Sequence, residues 1–195
     1  MARMIRPAQK SPRWLSYTAL AALACLVGWM VTSTRVAAVP SGSMEPTLMP
    51  GDLLLMRIDA YRHRKPARGD LVIFHDKTHD NELLVKRVVG LPGEDLYIQG
   101  GIVWVNGRLL EEPYTETPFI SRESGNVLLK DNDYWVMGDN RTKSSDSRDF
   151  GPIQPAQFVG RAAAIIWPVA RRGRIPSYND AKRRGDKSSA ATPTS

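Results

Sequence analysis

The chain has 195 residues, 42% of them apolar, which suits one domain with accessory segments and a packed core, and excludes a multi-span membrane protein. Its net charge of +7 raises nucleic acid and anionic membrane as partners, but the excess sits at the ends (Arg3, Arg6, Lys10 and Arg13; then Arg171, Arg172, Arg174 and Lys182 onward), so no nucleic-acid partner is expected. The lone cysteine, Cys25, excludes an intrachain disulfide and leaves any covalent chemistry outside the apolar run to hydroxyl groups.

Residues 1–13 form a basic amino-terminal segment, followed by an uncharged and mostly apolar run over residues 15–31. Seventeen residues at 1.5 Å each span about 25 Å, the short end of a bilayer crossing. Trp14, Tyr17 and Trp29 lie near its ends, where amphipathic rings favour the interface. Four basic residues precede the run and only Arg35 closely follows it, so the amino end is expected in the cytoplasm. The expectation is one transmembrane helix over residues 14–34, a single-pass protein of the inner or plasma membrane with lipid as a partner, and an extracytoplasmic domain over residues 35–170. The rival is a cleaved export signal, for which Val36-Ala37-Ala38 offers a small-residue cleavage site. The apolar stretch exceeds the usual length of such a signal and favours the retained anchor.

Beyond the anchor, short runs of bulky or β-branched residues at 53–58, 70–74, 83–89 and 134–137, bounded by Gly, Pro or Asp, predict strands. Asn106-Gly107, between apolar runs at 102–105 and 108–110, predicts a type I′ hairpin, because both central residues need positive φ. Residues 162–167 read as a late strand or short helix, with strand favoured. The fold class is all-β, of coiled antiparallel sheets. Residues 171–195 are basic and poor in bulky apolar groups, and are expected to form a disordered tail.

Two segments carry chemistry. Pro40-Ser-Gly-Ser-Met-Glu-Pro-Thr-Leu48 places Ser43 in a small-residue turn just past the anchor. Residues 83–94 place Lys86 inside an apolar stretch. A serine hydroxyl is a weak nucleophile until a neighbouring base takes its proton. His63, His75 and His79 fall in a polar stretch and read as solvated loop residues, with no metal site among them. A lysine serves as base only when neutral, and burial among apolar neighbours disfavours its charged form. On a strand, Lys86 shares a face with Leu84 and Val88, while Val85 and Arg87 point the other way. The local pattern fits equally an edge-strand lysine whose stem covers the core while its amine reaches water.

A third segment, Met137-Gly-Asp-Asn-Arg-Thr-Lys-Ser-Ser-Asp-Ser-Arg-Asp-Phe-Gly-Pro-Ile153, packs hydroxyls, acids and arginines into a long loop. Taken with the Ser43 turn, Gly51-Asp-Leu-Leu-Leu55 and Lys86-Arg-Val-Val-Gly-Leu-Pro-Gly-Glu94, it resembles bacterial type I signal peptidase, motif by motif and in order, over about residues 38–168.

The resemblance implies a signal-peptidase-like β fold and a membrane-anchored serine endopeptidase that removes signal peptides from exported preproteins. Ser43 matches the nucleophile and Lys86 the general base. Ser41 matches the residue whose hydroxyl completes the oxyanion hole with the Ser43 backbone N–H. Ser144 matches a serine that orients the lysine amine, and Asp146 and Arg148 match a bracing ion pair. Gly138, Asp139 and Asn140 shape the adjoining loop. It further implies substrates with small residues at P1 and P3, action as a monomer, and no cofactor. The compact segment between Lys86 and Gly138 implies a reduced accessory β-domain. Glu45 stands where the family is often uncharged, and the sequon at Asn140 reads as incidental. Alternatives kept open are a plasmid-transfer pilin maturation peptidase of the same fold, a self-cleaving regulator, which would need a DNA-binding domain that no pattern before Ser43 provides, and a catalytically silent anchored binding module.

Overall fold

The computed structural model describes residues 13–77, 82–115, 125–176 and 178; within the first helix, side chains are described from Tyr17 onward except Ala19. The basic start, His79 and most of the carboxyl-terminal tail lie outside the described residues. The chain divides into two units, residues 1–34 and 35–195.

The first unit contains helix α1, Arg13–Ser33, of 21 residues. Among the described residues no helix is long and apolar enough to cross a membrane.

The second unit is mostly β. Its larger sheet uses β1 (Thr34–Ala38), β2 (Leu53–Arg57), β3 (Leu71–Asp76), β4 (Glu82–Gly90), β9 (Trp135–Met137), β10 (Phe158–Trp167) and β11 (Gly173–Arg174). The strand order is β1-β2-β10-β3-β4-β9, with β11 added to β10. The smaller sheet has the order β7-β6-β5-β8, formed by β5 (Asp95–Gln99), β6 (Ile102–Val105), β7 (Arg108–Leu109) and β8 (Gly125–Leu128). These four strands occupy the compact segment between Lys86 and Gly138. The turn between β6 and β7 has Asn106 at φ 49° and Gly107 at φ 74°, the two positive values that the Asn-Gly pair predicts. Residues 162–167 fall within β10, as strand.

Strand alternation decides which side chains fill which core. Val85, on one face of β4, packs with Val39, Met44, Leu48, Leu54 and Ile73. Leu84 and Val88, on the other face, pack with Val72, Phe74, Tyr134 and Ile153. A third cluster, around Leu96, Ile98, Val103 and Leu129, joins the smaller sheet to Val89, Trp135 and Met137.

Register fixes the position of the long loop. Lys86 lies opposite Val72 on β3, and Arg87 pairs on the other side with Met137, the last residue of β9. The loop beginning at Gly138 therefore leaves β9 beside Lys86. No described strand pairs with β9's side of β4 over residues 82–86.

The expected boundary at residue 170 is corrected. Residues 171–176, assigned from composition to the tail, fold onto the larger sheet. The Arg171 guanidinium donates to the Asp52 carboxylate at 3.1 Å and Ile175 is buried in the Val39 cluster. One ion pair and one buried aliphatic side chain outweigh a basic local composition.

Candidate active site

Ser43 sits in a 3-10 turn over Gly42–Met44, held from below by Met44 and Leu48, both fully buried. The turn is tight. A Cβ on Gly42 would lie 2.7 Å from the Glu45 carboxylate, so only glycine fits without displacing that side chain. Ser43 is 7% exposed and Lys86 3%.

Lys86 Nζ lies 2.8 Å from Ser43 Oγ, across 43 residues of sequence. At that distance an ammonium donates to the hydroxyl, and a neutral amine accepts from it. Burial holds the Lys86 pKa below its ordinary value. Asp146, Glu82 and Asp139 work against the shift, while Arg148 adds to it. Burial thus supplies the direction that a general base requires. The water-reaching alternative for Lys86 does not hold in this structure. The Ser41 hydroxyl, at the start of the turn, lies 3.4 Å from Ser43 Oγ.

The loop after β9 supports the pair from beneath. Asn140 N–H donates to the Ser43 carbonyl at 3.1 Å. Asp146 accepts from Arg148 Nε and Nη2, each at 2.8 Å, and from the Gly138 N–H at 2.9 Å. Burial alone would raise the Asp146 pKa, but Arg148 and the Gly138 amide outweigh it and hold the carboxyl below the usual range. Asp146 also caps helix α2 (Ser147–Phe150), with Asp149 completing a capping box. Arg148 Nη2 donates in addition to the Arg141 carbonyl at 2.9 Å, so one guanidinium ties Arg141 to Asp146 within the loop.

Ser144 is buried beside Gly138, where an added Cβ would lie 2.3 Å from its Oγ. It makes no hydrogen bond to Lys86. Its Oγ has no partner of good hydrogen-bond geometry among the described residues, although its closeness helps to lower the Asp146 pKa. Asp139 accepts from Arg87 Nε at 2.7 Å, from Arg87 Nη2 at 2.6 Å and from the Thr47 hydroxyl at 2.6 Å. Asn140 Nδ2 donates to Glu45 at 3.2 Å and Lys143 approaches the same carboxylate at 3.5 Å. That contact gives Glu45 a place, fastening the serine turn to the loop.

Reading the sequence did not single out Arg87, Arg141, Glu112 or Tyr114. Arg87 is buried on the β4 face opposite Lys86, with its guanidinium 3.9 Å from the Tyr114 ring centroid. Arg141 donates to the Gly138 carbonyl at 3.0 Å and pairs with Glu112. An arginine within an apolar strand, next to the candidate base, was the available signal for Arg87.

A cavity of about 190 Å³ opens beside the pair, between residues 37–41 and residues 82–86, with Leu54 and Ile73 at its floor. Among the described residues no group of His, Cys, Asp or Glu could hold a metal ion. His63 and His75 do not line the cavity.

Residues 11–167 match the family described as signal peptidase, peptidase S26. The chain is similar to probable signal peptidase I-2 of Synechocystis sp., at 36% identity over 174 residues, covering 87% of this chain and 78% of that protein. Signal peptidase I of Leptolyngbya laminosa is 38% identical over 150 residues, covering 72% of this chain and 73% of its own. The crystal structure of a signal peptidase I from Enterococcus faecalis is 30% identical and covers 50% of this chain and 97% of its own, with a TM-score of 0.43.

Proposed function

Because this chain belongs to the signal peptidases of family S26, serine peptidases that cleave signal peptides, we propose that Ser43 is its nucleophile and Lys86 its general base. The observation that carries this reading is the 2.8 Å separation of Lys86 Nζ and Ser43 Oγ in a buried setting.

Neutral Lys86 accepts the Ser43 proton as Oγ attacks the scissile carbonyl. The tetrahedral oxyanion faces the Ser43 N–H and the Ser41 hydroxyl, two donors available to it. Collapse expels the new amino terminus, to which Lys86 returns the proton, leaving an ester on Ser43. A water deprotonated by Lys86 then hydrolyses that ester. Ser144 presents a buried hydroxyl without a good partner beside the loop, and orients the amine once Lys86 is neutral. Asp146, Arg148, Gly138, Asp139 and Asn140 hold the loop against the serine turn. No step calls on a metal or cofactor.

Substrate residues preceding the cleaved bond lie extended in the cavity, adding a strand to the open side of β4. Strand addition supplies main-chain hydrogen bonds, and the walls sort side chains. Ala37, Ala38 and the shallow apolar floor fit small residues at P1 and P3. Both members of the dyad come from one chain, so a monomer holds a complete site.

Helix α1 serves as the membrane anchor, with its amino end in the cytoplasm and the β unit on the opposite side. In support, residues 15–31 of this helix carry no charged side chain. Leu20, Leu23, Leu26, Trp29, Met30 and Val31 are each more than half exposed, an apolar surface that lipid would cover. Tethering enzyme and membrane-bound preprotein to one surface raises their effective concentration.

Incubating the detergent-solubilised protein with a preprotein tests this reading. Ser43→Ala and Lys86→Ala should each abolish processing while circular dichroism stays unchanged; turnover by either variant would refute the dyad.

A further inference from the structure

Four observations converge on Glu82, whose charge acts on the Lys86 amine from a distance but which takes part in no step of the chemistry above. It is the first residue of β4, and it lines the cavity beside Ser43 and Lys86. It is exposed, and among the described residues no ion pair or hydrogen bond holds its carboxylate, although its charge is felt at Lys86. Strand alternation puts Glu82, Leu84 and Lys86 on one face of β4, with Glu82 about 13 Å from Lys86 at ~3.3 Å per residue. Across the β3–β4 pair it faces Asp76, another acid, so its strand partner offers no compensating positive charge.

We infer that Glu82 is a specificity-determining residue that favours a lysine or arginine side chain about four positions before the cleaved bond. The inference rests on the reading that residues preceding that bond lie extended along β4. A peptide laid with its P1 carbonyl at Ser43 advances along the strand at the strand's own step. Its fourth or fifth residue before the cut then arrives beside Glu82. The cavity is apolar near its floor, so small uncharged side chains suit positions close to the serine. An ammonium or guanidinium group at the outer end meets the carboxylate at the protein–water boundary, where an ion pair forms without full desolvation. An acidic substrate side chain at the same place meets repulsion instead. The preference is therefore modest, salt-sensitive and confined to this one stretch of substrate.

The test uses the full chain in detergent and a preprotein with Lys, Gln or Glu placed in turn at the fourth and fifth positions before the cleaved bond. The readout is the ratio of kcat/KM values within each enzyme, so changes in overall rate cancel. Wild type should cleave the Lys substrate about 1.5- to 5-fold faster than the Gln substrate at one of the two positions, as a solvent-exposed ion pair allows. Glu82→Gln should bring that ratio to about one, and Glu82→Lys should invert it. Raising the salt to about 1 M should shrink the wild-type ratio, because the screening length falls to ~3 Å. A ratio of one in wild type, or the same ratio in wild type and Glu82→Gln, overturns the inference. Cleavage of the Gln substrate that survives Ser43→Ala would instead overturn the dyad on which it rests, so the two failures are distinguishable.

Discussion

Gly138→Ala probes the contact between the loop and the nucleophile. An added Cβ would lie 2.4 Å from Ser144 Cβ and 2.5 Å from the Ser43 carbonyl oxygen. Ordinary carbon contacts begin near 3.5 Å, so the two backbones must separate by about 1 Å. Ser144 can rotate its hydroxyl away, but not its Cβ. The Ser43 carbonyl is fixed by the Asn140 N–H at 3.1 Å, so it moves only if the serine turn moves. Overpacking of this kind costs about 1–3 kcal/mol, and for a domain of this size each kcal/mol lowers Tm by roughly 2–4 °C. A misplacement near 1 Å at a catalytic group costs on the order of 100-fold in rate. The assay is kcat/KM on a preprotein well below the variant's Tm, with thermal unfolding measured in parallel. Gly173→Ala is the control, since a Cβ there meets nothing within 4 Å. Gly138→Ala with kcat/KM within about threefold of wild type would show that the loop does not position Ser43 as argued.

Because burial lowers the Lys86 pKa and only the neutral amine accepts a proton, kcat/KM should rise with pH through a limb below 10.5. A flat profile across pH 6–10 would remove Lys86 as the base. Arg87→Met leaves the buried Asp139 carboxylate without its bidentate partner and should destabilise the protein by about 3–5 kcal/mol in denaturant unfolding. Adding Asp139→Leu should restore much of that loss; a double variant no more stable than the single one would show that the pair does not act as a unit.

Strands β2, β3, β4, β6, β7, β9 and β10 were legible because they depend on neighbours in sequence: alternation, β-branched residues and the Asn106-Gly107 turn; β1, β5, β8 and β11 carry weaker local signals and were not foreseen. Lys86 was legible only in part, as a cation flanked by Leu84, Val85, Val88 and Val89, a pattern that fitted a water-reaching amine equally well. Its partner was not. Nothing in the local pattern says that a strand lysine meets a serine 43 residues away. The resemblance supplied that pairing. Arg87 and Arg141 show what local reading misses, since their carboxylate partners lie 52 and 29 residues away. A charge whose neutralisation is non-local reads as solvated until the fold brings its partner in. Residues 171–176 were misjudged in the same way, because Asp52 lies 119 residues from Arg171.

A buried lysine that must lose its proton is a stability cost retained for function, and that predicts an opposite response in two assays. Lys86→Met keeps an unbranched side chain of similar size while removing the ionisable group. The Ser43 hydroxyl loses one hydrogen-bond partner, worth about 1 kcal/mol, but the desolvation of the amine disappears. Relieving a functional residue of this kind commonly yields about 0.5–2 kcal/mol, a Tm higher by a few degrees, with activity lost. The pH dependence fixes the sign. The Lys86 pKa is lower in the folded state, so between that value and 10.5 the unfolded chain binds more protons. Wild-type stability therefore gains from this group as pH rises through that window, and the cost vanishes above it. Lys86→Met lacks that slope, so its advantage should be largest on the acidic side and fade as pH approaches 10.5. Thermal unfolding of both proteins across pH 6–10 measures it. A variant less stable than wild type throughout would mean that Lys86 is held by its neighbours as a satisfied cation, and the amine could not then serve as the base.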